Sequence, residues 1–167
     1  MYNQKREKGF TLVELLVVVA IIAVLAGVLL LAINPVALLQ KGRDAKRLED
    51  MDALSKAVTL ALADGEVTLT ATGSCSTCSS LSGTQAVDGT GWLKFAIPTG
   101  KTGLSKFISS LPVDPLNTGA SVYTYGATIS QYELNTVLES PDNLNKMTTD
   151  GGNDAGTYEI GTALTIL

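Results

Sequence analysis

Four groups of residues in this chain have types and spacings that could do chemistry. Glu14 is the only charged residue between Phe10 and Ile33, in a stretch otherwise apolar or small apart from Thr11. A carboxylate in hydrocarbon costs about 2.5–3.5 kcal/mol on insertion scales, so such a residue is by default functional and calls for a named partner. Cys75 and Cys78 form a Cys-x-x-Cys in a Ser, Thr and Gly-rich stretch. Asp150, Asn153 and Asp154 cluster between glycines, where their oxygens could serve a hard cation such as calcium. Gly100-Lys101-Thr102 has the tail of a phosphate-binding loop, but the glycine required five positions earlier is Phe95. A strand leading in and a helix leading out are also missing, so that reading is dismissed.

The composition narrows the rest. The chain has no histidine, which removes the commonest general base and the commonest metal ligand. Serines are plentiful, yet no Ser-His-Asp triad can form, and no catalytic chemistry is expected. Two cysteines without histidine cannot build a four-ligand zinc site within one chain, and a thioredoxin-like motif lacks its βαβ setting. A small-loop disulfide and a pair of free thiols both remain for Cys75 and Cys78. The Asp150–Asp154 segment departs from the twelve-residue EF-hand spacing and also reads as a plain exposed turn. For Glu14 the ordinary alternative is a side chain that snorkels to the lipid headgroups.

The elements that must position these residues follow from the hydropathy pattern. Phe10 to Ile33 gives 24 residues, about 36 Å as a helix against a hydrocarbon core of about 30 Å. A cleaved secretory signal has a shorter apolar core ending at a small-residue site. Lys5, Arg6 and Lys8 against Glu7 place the N-terminus in the cytoplasm and the body outside. Asn34-Pro35 interrupts the helical ladder and predicts a kink, with Gly42 as a second weak point. Leu48, Met51, Leu54, Val58 and Leu62 recur at spacings of three and four, which predicts an amphipathic helix to Ala63, stopped by Asp64-Gly65. Five bases and four acids between 41 and 56 are expected to form a solvated or helix-to-helix polar face.

Past Asp64 the composition turns to Thr, Ser, Gly and Tyr. Val67, Leu69 and Ala71 alternate with Thr68 and Thr70, and strand-like runs follow near 91–97, 121–127, 131–139 and 156–166. Short connections predict one antiparallel meander, with Leu93, Phe95, Tyr123, Tyr125, Leu134, Tyr158 and Ile160 in or near its core. From residue 57 onward four lysines face ten acids, a net of −6. An acidic body repels phosphate backbones, so no direct nucleic-acid partner is expected.

The string Lys8-Gly9-Phe10-Thr11-Leu12-Val13-Glu14-Leu15-Leu16 resembles the class III signal of type IV pilins and type II secretion pseudopilins. The resemblance implies cleavage between Gly9 and Phe10 by a prepilin peptidase, N-methylation of Phe10, and pairing of Glu14 with the new amine of a neighbouring subunit. It also implies a pilin-like α+β fold, in which the second half of a long N-terminal helix packs on a small antiparallel sheet head. The expected organisation is a basic leader at 1–9, a transmembrane and filament-core helix at 10–33, an amphipathic helix at 34–63 and an extracytoplasmic β-rich head at 64–167. Leu111-Pro112-Val113-Asp114-Pro115-Leu116-Asn117 with Tyr123 and Tyr125 is similar to the Asp-Pro turn and paired tyrosines of major pseudopilins, though Leu116 stands where tryptophan is frequent. Major pseudopilins carry calcium in their C-terminal loop, which the resemblance extends to Asp150, Asn153 and Asp154.

The partners so implied are further copies of the chain in a helical filament, the prepilin peptidase, an inner-membrane assembly platform and the membrane. No cofactor is required beyond the calcium in question. The implied location is a single-pass membrane protein that passes into a periplasmic or extracellular filament. The rival reading from another class is a monomeric, membrane-anchored extracytoplasmic binding module that uses Asp150–Asp154 for a ligand.

Overall fold

The computed structural model describes residues 9–32 and 34–167. Lys5, Arg6 and Lys8, on which the expected orientation rests, and Ile33 lie outside the described residues. The chain divides into two units, residues 1–38 and 39–167.

In the first unit, α1 (Leu12–Ala32) is the apolar helix. Its 21 residues give about 31 Å at 1.5 Å each, enough for a hydrocarbon core. Its described side chains are exposed all round, as an unpartnered membrane helix requires. The second helix, α2 (Pro35–Ala63), starts at the proline itself, so the ladder is interrupted where Asn34-Pro35 predicts. Pro35 is its first residue, where a missing N–H costs nothing, and Asn34 caps it by accepting from the N–H groups of Val36 (3.1 Å) and Ala37 (3.3 Å). The helix then runs unbroken through Gly42.

In the second unit, α2 buries one face at Asp44, Arg47, Met51, Leu54, Val58 and Ala61, a spacing of three and four. The lower half of that face is apolar and packs with Trp92, Leu93, Phe95, Tyr123, Tyr125 and Leu134. Trp92, fully buried, is the largest core side chain, and its indole N–H donates to the Pro112 carbonyl at 3.1 Å. Tyr158 and Ile160 are only half-buried against this core. The strands form two small antiparallel sheets rather than one meander. β1 (Thr68–Leu69) pairs with β2 (Phe95–Ala96), while β3 (Thr124–Ala127), β4 (Tyr132–Thr136) and β5 (Tyr158–Gly161) form a three-stranded sheet in that order. The reason is chain composition: the Ser, Thr and Gly-rich segment between β1 and β2 closes turns on itself, leaving only two residue pairs to meet. A short helix, α3 (Leu144–Thr149), seats Met147 beneath Leu138.

The upper half of the α2 face is charged, which corrects the expectation of a solvated face for residues 41–56. Lys41, Lys46, Glu49, Asp52 and Lys56 are exposed, but Asp44, Arg47 and Asp50 are buried. Arg47 forks onto Asp114 of the Asp-Pro turn through Nε (2.6 Å) and Nη2 (3.0 Å), and its Nη1 reaches Asp44 (3.1 Å) and Glu139 (2.5 Å). Arg43 donates to the same Glu139. Asp44 in turn accepts from the backbone N–H groups of Glu139 (2.9 Å) and Ser140 (2.8 Å). Asp50 accepts from the Tyr123 hydroxyl at 2.8 Å.

Burial pushes the Asp114 carboxyl upward, but Arg47 and the N–H groups of Leu116 and Asn117 outweigh it and hold it below the ordinary aspartate range. Bonding to Arg43, and then to Arg47, lowers Glu139 likewise. Acids held low contribute stability above their unfolded values, about 3.9 and 4.3, and lose it as pH falls through the folded ones. Urea unfolding of the detergent-solubilised chain is therefore expected to show stability falling below about pH 4. Arg47→Ala leaves buried carboxylates unpaired, should cost about 3–5 kcal/mol at neutral pH, and should flatten that acid decline.

Candidate processing and assembly site

The residues expected at the junction lie in an open segment before α1. Gly9 and Phe10 are exposed, and a Cβ built on Gly9 would meet nothing among the described residues.

One residue further on, Thr11 and Glu14 lock together. Glu14 Oε2 accepts from the Thr11 backbone N–H (2.8 Å) and from its hydroxyl (2.7 Å), while Thr11 Oγ1 accepts from the Glu14 N–H (3.2 Å). This reciprocal pair is a capping box, which satisfies donors that the first helical turn leaves unpaired. An acid in the first turn also meets the positive end of the helix dipole. The sequence carried this signal as Thr11-x-x-Glu14 ahead of an apolar run. Reading Glu14 only as a charge missed it. Both hydrogen bonds to Glu14 fall on Oε2, so Oε1 has no partner among the described residues.

The other sequence-selected residues lie elsewhere. Cys75 and Cys78 are bonded to each other in the loop between β1 and β2. Asp150 accepts from Gly152 N–H (3.0 Å) through one oxygen and from Glu159 N–H (2.8 Å) through the other. Asp154 accepts from Gly156 N–H at 2.8 Å. The Asn153 carboxamide, in the orientation that satisfies its surroundings, donates to Glu159 Oε1 (3.3 Å) and to the Leu164 carbonyl (2.6 Å). As placed, these side chains tie the loop to itself and to β5. Among the described residues no group of three acidic or cysteine side chains is placed to hold a metal. A Cβ on Gly152 would fall on the Glu159 carboxylate, which would have to move aside. Burial raises Glu159, and its diagonal neighbour Glu133 adds to that effect while the Asp154 N–H opposes it.

Residues 4–30 match the family described as the prokaryotic N-terminal methylation motif, the class III prepilin signal of type IV pilins and pseudopilins. The match takes in Gly9 and Phe10, the capping box and most of α1, and supports a type IV pilin-like or pseudopilin protein. It fits a membrane-anchored protein whose one sufficiently long apolar helix, among the described residues, lies near the N-terminus. No curated protein and no solved structure matches the chain.

Removing the cap should loosen the first turn of α1. In detergent micelles, Thr11→Ala is expected to weaken that turn by about 1 kcal/mol. Amide exchange at residues 12–14 reads the effect, with residues further along α1 unchanged.

Proposed function

We propose that this chain is a structural subunit of a type IV pilus-like or type II secretion pseudopilus filament. The chain is inserted with its head outside the cytoplasm, prepilin peptidase cuts it between Gly9 and Phe10, and Phe10 is N-methylated. The apolar α1 then stacks against copies of itself in the membrane and in the filament core. Glu14, the one charge in that helix, accepts the Phe10 amine of an adjoining copy in a medium of low dielectric, where a misplaced subunit would leave the acid unpaired. The single observation that supports this reading is the methylation motif, with Gly9 and Phe10 exposed among the described residues, running into an exposed apolar helix that carries one acid. A monomeric binding module would need neither that junction nor that acid.

Mass spectrometry of the native membrane fraction is the decisive measurement. The expected product starts at an N-methylated Phe10, and Gly9→Val should leave the full-length precursor in the membrane. Glu14→Ala should be inserted and trimmed as the parent chain is, yet yield no filaments. A mature chain starting at Met1 would remove the processing step, and normal filaments from Glu14→Ala would remove the pairing.

Calcium binding at Asp150, Asn153 and Asp154 would require those side chains to give up their partners on the loop and β5. The expected result is that millimolar calcium leaves the thermal midpoint of the head unchanged. An increase that Asp154→Ala abolishes would instead make the loop a cation site.

A further inference from the structure

The segment 72–80 lies along the free edge of β3 with a mismatch in length. Thr72 pairs with Ala127, its N–H donating to the Ala127 carbonyl (2.9 Å) and its hydroxyl accepting from the Ala127 N–H (2.9 Å). Tyr125 N–H donates to the Cys78 carbonyl (2.9 Å), and Ser80 N–H to the Tyr123 carbonyl (2.8 Å). From Cys78 to Ser80 the two chains step together, two residues against two. From Thr72 to Cys78 the strap uses six residue steps where β3 uses two. A span of about 7 Å along the strand is thus bridged by a segment that could reach roughly 20 Å. The surplus folds out as a small loop, and the Cys75–Cys78 bond closes it.

Cys78 and Ser80 are buried, Ser80 being held further by Asn117, whereas Cys75 is only half-buried at the surface of the loop. The rest of β3 is held independently by its ladder with β4, from Thr124↔Asn135 to Ala127↔Tyr132.

We propose that the Cys75–Cys78 disulfide is a redox-operated clasp on the β3 edge, whose reduction releases the strap while the three-stranded sheet stays folded. The reductant is a dithiol, either a protein of thioredoxin type or a small molecule. Its thiolate attacks the more accessible Cys75 sulfur, the Sγ–Sγ bond breaks, and Cys78 leaves as a thiolate that takes up a proton. The second thiol of the reductant then displaces Cys75 from the mixed disulfide. Two electrons and two protons have passed to the chain, and the reductant ends as a disulfide. Without the covalent closure the folded-out loop regains its conformational freedom, which opposes the few hydrogen bonds that dock it. The opened edge presents the Tyr125 N–H and the Tyr123 carbonyl, the unpaired row that strand edges use for pairing. This inference concerns the head alone and stands apart from the filament reading.

The test is amide hydrogen exchange on the full chain in detergent, before and after excess dithiothreitol and alkylation. The Tyr125 and Ser80 amides are expected to exchange at least about tenfold faster after reduction, with Leu134 on the central strand unchanged. The double variant Cys75→Ser, Cys78→Ser should show the reduced pattern without reductant. Unaltered protection at Tyr125 and Ser80 would overturn the clasp. So would equal loss of protection at Leu134, or an unfolded double variant, since the bond would then pin the whole head. Free thiols at both positions in chain isolated from its own membrane would overturn it as well.

Discussion

The head depends on a buried arginine. Arg47 sits fully enclosed on α2 and has to be surrounded by acceptors, because an unpaired charge at that depth would cost several kcal/mol. Asp114 supplies two of them with one carboxylate. The same carboxylate also closes its own turn by accepting from the Leu116 and Asn117 N–H groups. Asp44 and Glu139 complete the set, and Asp44 holds the start of the 139–143 segment by its backbone. Two loops far apart in sequence are thereby fixed to one helical turn. Such a cluster specifies position more than it adds stability, since each ion surrenders its hydration to enter it.

That arrangement explains why the helix was readable in the sequence while its face was misread. The spacing of Met51, Leu54 and Val58 is set by the helical period and is visible without any partner. The side on which Asp44, Arg47 and Asp50 lie is visible too, since they continue the same stripe. Their burial is not, because it depends on Asp114 and Glu139 arriving from more than sixty residues away. Alternation at 67–71 and the strand-like runs after it likewise marked the positions of all five strands, but strand ends were set by side-chain bonds that no local pattern encodes. Asp150 binding the Glu159 N–H is one of these, and it takes up a β5 backbone donor. Trp92 belongs to the same lesson. Its burial is ordinary for a large aromatic, yet its place depends on Pro112 offering a carbonyl.

The N-terminal site was legible for a different reason. Its motif is contiguous, and each residue acts within four positions of the next, so sequence proximity is spatial proximity. Even so, the electrostatic reading of Glu14 as an acid in search of a cation left out its nearest partner. The Thr11 hydroxyl and N–H engage it from within the same turn.

The capping by Glu14 and its proposed pairing with a neighbour's amine are compatible because they use different oxygens. Capping draws on Oε2 alone, and a carboxylate has acceptor sites on both oxygens, so Oε1 retains the capacity to meet an ammonium. Capping also lowers the cost of keeping an acid in an apolar helix before any partner arrives, since two charge-assisted bonds replace part of its lost hydration. A chain held this way can wait in a membrane without a counter-ion and still gain from one. The gain is largest where water is excluded, which is between packed helices and not at the lipid headgroups. Local capping thus sets the orientation of the carboxylate, and the low dielectric of a helix bundle would give that orientation its value in the proposed assembly.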